Sequence, residues 1–259
     1  MRLSCSGSGP LVVKLAGVAG GVGLYREEMD HAVAEGYRVA GLDTSGDRRD
    51  DPAPFPLTWD SLAGEVAEAV GRLGDRAVLW GTSFGSVLAL ATAARHPERV
   101  SGLLLCHPPH PGRPPRVHAA LHGWLVRRPS AERRAVAAFR VAFVVLNGWE
   151  LVTPSVLARL PALARESRRA ATPGSTILRK LDLLWNHDAG LPPLDASIPT
   201  TVVAGRWDGI APFSGARDLV KRLPGARLRE LSFSGHAGAY SRPRAYQRIV
   251  AEELHSVAG

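Results

Sequence analysis

The sequence predicts an α/β fold, a mostly parallel, doubly wound sheet with a helical insertion. Three observations carry this. Apolar runs of strand length alternate with helical patterns from Leu11 to Cys106, and again from Thr200 to Ser256. Between these stretches, from about Pro108 to Leu194, only helical patterns remain. At Ala77–Trp80 an apolar run stops at Gly81-Thr82-Ser83-Phe84-Gly85, and a helical pattern follows at once. That is a strand, a sharp turn and a helix, with a serine at the apex.

The elements follow in order. Leu3 to Cys5 reads as a stub of edge strand, turned by Ser6-Gly7-Ser8-Gly9-Pro10. Leu11 to Leu15 is a buried strand, followed by a glycine-rich loop and a helix from about Leu24 to Glu35. Tyr37 to Leu42 is the next strand, and the charged, proline-rich run to Pro56 is a surface loop. Leu62, Val66, Val70 and Leu73 mark an amphipathic helix. After the serine turn, Val87, Leu88, Leu90, Ala91 and Ala94 give a helix that stops at His96-Pro97, and Val100 to Cys106 is a strand. The proline cluster from Pro108 to Pro115 is a boundary. Helices are expected at about Arg116–Val126, Ser130–Leu146, Pro154–Arg165 and Ser175–Trp185, the third with Thr153 as N-cap and proline at its first position. Strands return at Thr200–Ala204 and Ala226–Leu231, with helices at Arg217–Leu223 and Pro243–Ser256. The expected organisation is core 1–107, helical insertion 108–194, core 195–259.

The chain has 259 residues and a net charge of +8, with a pI near 10.3. Arginine supplies nearly all the positive charge, because Lys14, Lys180 and Lys221 are the only lysines. Genomic bias toward Ala, Arg, Gly and Pro is the simplest source, and an acidic partner is the sharper alternative. Cys5 and Cys106 imply no disulfide framework. No signal-peptide core is seen, and no apolar run approaches the ~18 residues of a membrane span, so a soluble cytoplasmic protein without membrane attachment is expected.

In this context Gly-x-Ser-x-Gly is a nucleophile elbow. A side chain at Gly81 or Gly85 would strike the neighbouring strand or helix, and Ser83 is held above a helix N-terminus that favours a developing anion. The bland alternative for Ser83 is a helix N-cap. The chain resembles the α/β-hydrolases over nearly all its length. In that family the catalytic residues come as Ser, then Asp or Glu, then His, each after a strand. Asp208 follows a strand in Gly205-Arg206-Trp207-Asp208, and His236 follows one in Ser234-Gly235-His236-Ala237. The resemblance therefore implies a triad of Ser83, Asp208 and His236.

It also implies that the loop from Ala16 to Gly23 supplies an oxyanion donor, the Val18 N–H, beside that of Phe84. The family usually carries His-Gly where this chain has Ala16-Gly17. The same loop admits a rival reading. Gly17, Gly21 and Gly23, with Asp43 twenty residues on, fit the nucleotide loop of a nicotinamide enzyme. Such enzymes carry a Tyr-x-x-x-Lys pair, and no lysine here has a tyrosine four residues before it. No cofactor is expected.

The resemblance makes the insertion a lid, with Trp124, Phe139, Phe143, Trp149 and Trp185 as lid core or pocket lining. His118 and His122 have zinc-pair spacing but lack the intervening glutamate and a third ligand, so no metal is expected. His107 and His110 end a strand, where they could touch substrate or serve a proline turn. The pairs Arg127-Arg128, Arg133-Arg134 and Arg168-Arg169 read as solvated faces, with an acidic carrier protein as the alternative partner and no nucleic-acid motif beside them. The function implied is a serine hydrolase that cleaves a small, largely apolar ester or thioester through an acyl-enzyme. The alternatives are a cyclase, lyase or acyl transferase of specialised metabolism on the same fold, and a binding module that uses the pocket as a receptor.

Overall fold

A computed structural model of the chain describes residues 1–51, 56–110, 132–186, 194–195 and 197–258. Seven strands form one sheet in the order β1-β3-β2-β4-β5-β6-β7. They are β1 (Arg2–Ser6), β2 (Leu11–Leu15), β3 (Arg38–Asp43), β4 (Ala77–Thr82), β5 (Val100–Cys106), β6 (Thr200–Gly205) and β7 (Arg227–Leu231). Only β1 runs antiparallel, along the outer edge of β3. The helices are α1 (Arg26–Ala34), α2 (Trp59–Leu73), α3 (Phe84–Arg95), α4 (Glu132–Leu151), α5 (Pro154–Ala170), α6 (Gly174–Asn186), α7 (Phe213–Arg222), the short α8 (Gly238–Ser241) and α9 (Pro243–Ala258).

The apolar runs become strands because both faces of the sheet are covered. Val13, Leu79, Leu103, Leu105 and Val202 join one core, which they share with α2, α3, α6 and α7. Their neighbours Val12, Val78, Trp80, Leu104 and Val203 join the other, under α1 and α9. Alternate residues of one strand thus enter opposite cores, which leaves a continuous apolar run with no polar period. Each fully buried leucine contributes about 2 kcal/mol.

Helices start and stop where local chemistry places them. Thr58 caps α2 by accepting the Ser61 N–H, and Ser61 returns the bond to the Thr58 backbone. Thr153 caps α5, with Pro154 at its first position. α4 runs to Leu151, five residues beyond its expected end, and α7 starts at Phe213 rather than Arg217. The helix expected at Arg116–Val126, with His118, His122 and Trp124, lies outside the described residues. Among the described residues no helix is long and apolar enough to cross a membrane.

α4, α5 and α6 lie between β5 and β6 in sequence, and polar contacts tie them to the core. The Lys180 ammonium, on α6, is buried against the Asp47 carboxylate at 2.6 Å. The Thr172 hydroxyl, between α5 and α6, donates to the Asp47 carbonyl at 2.6 Å. Two of the three lysines in this arginine-rich chain are therefore interior ion-pair partners, Lys180 here and Lys14 with Glu28.

Candidate active site

Ser83 forms the turn between β4 and α3 with φ near +55°, strained for a residue with a side chain. The surroundings hold that turn. The Ser83 N–H donates to the Cys106 carbonyl at 2.8 Å. The Ser86 hydroxyl lies 2.9 and 2.8 Å from the carbonyls of Gly81 and Cys106. A Cβ on Gly85 would stand 2.4 Å from the Leu15 carbonyl oxygen, so α3 approaches β2 this closely only with glycine there.

Asp208 lies on the loop after β6 and His236 on the loop after β7. Two backbone bonds tie these loops, Arg206 N–H to the Leu231 carbonyl at 3.3 Å and Trp207 N–H to the Ser234 carbonyl at 2.8 Å. The three side chains meet in a row. Nε2 of His236 lies 3.0 Å from the Ser83 hydroxyl, and its Nδ1 lies 2.8 Å from Oδ2 of Asp208. Burial alone would push the Asp208 carboxyl up. Attraction to His236 and the hydrogen bonds from His107 and His236 outweigh it and hold the group well below the usual carboxylate range. Asp208 stays ionised.

The loop before Ser83 is braced without the usual histidine. The Gly17 N–H donates to the Tyr25 hydroxyl at 3.4 Å, and burial pushes that hydroxyl well above the usual tyrosine range, so it stays neutral. The Gly20 N–H donates to the Thr172 hydroxyl at 3.1 Å. The Val22 N–H donates to Asp43 at 2.7 Å. Asp43, the acid that the nicotinamide reading needs for a ribose, is occupied in this way. Among the described residues the N–H groups of Val18 and Phe84 have no hydrogen-bond partner.

Three residues join the site without having been singled out for these roles. His107 follows β5, is buried, and places Nδ1 3.2 Å from the same Asp208 oxygen that His236 uses. Its contact with Asp208 is a role that neither substrate contact nor a proline turn describes. Asn147 and Glu150, both on α4, hold the His236 loop. Oδ1 of Asn147 accepts the His236 N–H at 3.1 Å. The Glu150 carboxylate accepts the Ala237 N–H at 2.8 Å and the hydroxyls of Ser234 and Ser241 at 3.2 and 2.6 Å. A Cβ on Gly235 would come within 2.6 Å of Glu150, so glycine admits the carboxylate. The available signal was a polar pair three residues apart, one helix face, in an otherwise apolar stretch.

The aromatic residues divide. Phe143 meets the His236 ring edge-on at 6.3 Å. Trp185 packs against the main core. Trp149 is 45% exposed, because Asn147 and Glu150 claim the inward face of α4. Trp124 and the side chain of Phe139 lie outside the described residues. His107, Asp208 and His236 also have the spacing of a cation site. Their contacts have hydrogen-bond lengths, and His236 turns its other nitrogen to Ser83, so a hydrogen-bonded row accounts for the arrangement.

Residues 10–243 match the family described as alpha/beta hydrolase fold. The chain belongs to the α/β-hydrolase family. A relative of this hydrolase from Klebsiella pneumoniae, named as the carbamate hydrolase RutD, is 28% identical over 88% of this chain and 85% of its own length. The protein of the same name from Stutzerimonas stutzeri is 26% identical over 96% and 93%. Among solved structures, an esterase from Exiguobacterium antarcticum superposes with a TM-score of 0.81 at 20% identity, covering 98% of this chain and 94% of its own. An enol-lactonase from Burkholderia xenovorans gives 0.76 at 22%, covering 98% and 96%. These solved structures show the fold. The chain is an enzyme of the hydrolase class.

Proposed function

We propose that this enzyme is a serine hydrolase that cleaves a small, largely apolar ester or thioester through an acyl-enzyme. The row from Ser83 through His236 to Asp208, with contacts of 3.0 and 2.8 Å, carries the proposal. His236 Nε2 takes the hydroxyl proton as Ser83 Oγ bonds to the acyl carbon. The carbonyl oxygen becomes an oxyanion, and the N–H groups of Phe84 and Val18 hold it, each lowering the barrier by about 3 kcal/mol. His236 then protonates the leaving alkoxide or thiolate as its bond to carbon breaks. Water attacks the acyl-enzyme with His236 again as base, releasing the acid and restoring Ser83. Asp208 remains ionised throughout and fixes the imidazole tautomer.

The test is intact-mass detection of a fluorophosphonate adduct on Ser83, with Ser83→Ala as control. Labelling in the native chain, with no labelling and no turnover in a folded Ser83→Ala, supports the proposal. Turnover retained by that variant would favour the non-hydrolytic chemistries of the fold.

A second reading, carbamate cleavage, is favoured by the curated relatives, whose likeness spans nearly the whole chain. The same steps apply, with an amine or alcohol leaving. Comparing kcat/KM for one alcohol leaving group borne as a carboxylic ester and as a carbamate separates the two. A carrier-borne thioester stays within the first reading. Arg168 and Arg169 at the end of α5 are exposed, and docking to an acidic carrier would show as salt-sensitive kcat/KM for the carrier-bound substrate alone.

A further inference from the structure

His107 follows β5 in a left-handed backbone conformation, φ +51°, which a residue other than glycine adopts at a cost. Its side chain is 1% exposed. Nδ1 lies 3.2 Å from Oδ2 of Asp208. His236 reaches that same oxygen at 2.8 Å. An ionised carboxylate only accepts, so both histidines come to it as Nδ1–H donors. His107 is then left with Nε2 as an acceptor, and that atom has no partner among the described residues.

An apolar side chain of similar size would leave no orphaned nitrogen here, whereas the positive φ is borne by any residue with a side chain. Nothing about core packing asks for an imidazole here. What the imidazole supplies is the donor to Asp208, and the surroundings fix it for that purpose. Its plane lies parallel to the Tyr246 ring, 6.3 Å away.

Asp208 has four acceptor sites, and all four are assigned. Oδ1 accepts the N–H groups of Ile210 and Ala211 at 2.9 and 2.7 Å. Oδ2 accepts from His107 and His236. We propose that His107 is a positioning residue for the triad: its Nδ1–H takes one lone pair of Asp208 Oδ2 and fixes the carboxylate with its remaining lone pair on His236. The inference rests on the serine-hydrolase reading above. His107 acts on the reaction only through Asp208, so it should govern the rate of bond formation at Ser83 and not the affinity for the reagent.

The test compares His107→Phe, which keeps a ring and removes the donor, with His107→Asn, whose side-chain N–H falls close to the place of Nδ1. Fluorophosphonate labelling of Ser83 is resolved into a binding constant and a maximal rate. The downfield proton resonance of the His236 Nδ1–H, assigned by its loss in His236→Ala, reports the bond to Asp208. In His107→Phe the maximal rate should fall about 10–100-fold, as for loss of a hydrogen bond to a charged group. The binding constant should hold and the resonance should move upfield, and His107→Asn should recover most of both. An unchanged rate in folded His107→Phe overturns the proposal, as does a His107→Asn variant as slow as His107→Phe. If His107→Phe does not fold, His107→Asn decides alone: a rate within about threefold of the native chain supports the proposal, and a larger loss overturns it. A native chain that is not labelled at Ser83 overturns the hydrolase reading and this inference with it, whereas labelling of the native chain confines any later failure to His107.

Discussion

The Glu150 carboxylate accepts the Ala237 N–H at 2.8 Å, so a helix of the insertion holds the residue that follows His236. Two serine hydroxyls complete the cradle. Glu150→Ala strands the Ala237 N–H and the Ser241 hydroxyl, while the Ser234 hydroxyl keeps the Gly235 carbonyl at 3.1 Å. Stability should fall by about 3 kcal/mol in urea unfolding, and kcat about tenfold. A folded Glu150→Ala variant with native kcat would mean that the loop places His236 without the helix.

The Thr172 hydroxyl bridges the Gly20 N–H and the Asp47 carbonyl, taking part of the brace expected of the missing histidine. Thr172→Val preserves shape and removes the bridge. Steady-state kinetics should show kcat reduced about 3–10-fold with KM unchanged, and Thr172→Ser close to native. Equal kcat in all three would assign the brace to Tyr25 and Asp43 alone.

The Asp208 carboxyl titrates below its usual range in the folded chain and near 3.9 when unfolded. Its ionised form therefore stabilises the fold above about pH 4, and that contribution is lost as pH falls through the folded value. Asp208→Asn lacks this dependence. The gap in unfolding free energy between native and variant should be widest near neutral pH and shrink below about pH 4. The variant's kcat should drop about ten-thousandfold, because the amide cannot hold the imidazole tautomer. A gap constant from neutral to strongly acid pH would contradict the depressed value.

Lys180 and Asp47 form a buried pair at 2.6 Å. Lys180→Met leaves the Asp47 carboxylate uncompensated and should cost about 3–5 kcal/mol. Lys180→Met with Asp47→Asn should cost less than the two changes summed, because neither charge is then stranded. Strict additivity in a double-mutant cycle would show that the pair does not couple α6 to the core.

The sequence by itself determined the sheet, the serine turn and the places of Asp208 and His236. Those features are local. Strand and helix follow from the period of apolar residues over a few turns, the elbow follows from backbone sterics between Gly81 and Gly85, and each triad candidate lies within a few residues of a strand end. The tertiary structure alone decided what surrounds them. His107 reaches Asp208 across 101 residues of chain, and Glu150 reaches Ala237 across 87. A buried polar side chain is stable only where a partner meets it, and no local period records that partner. Trp149 and Glu150 are adjacent in sequence, yet one is exposed and the other buried. The packing of α4 against the His236 loop made that choice, through hydrogen bonds that exist only once both elements are in place.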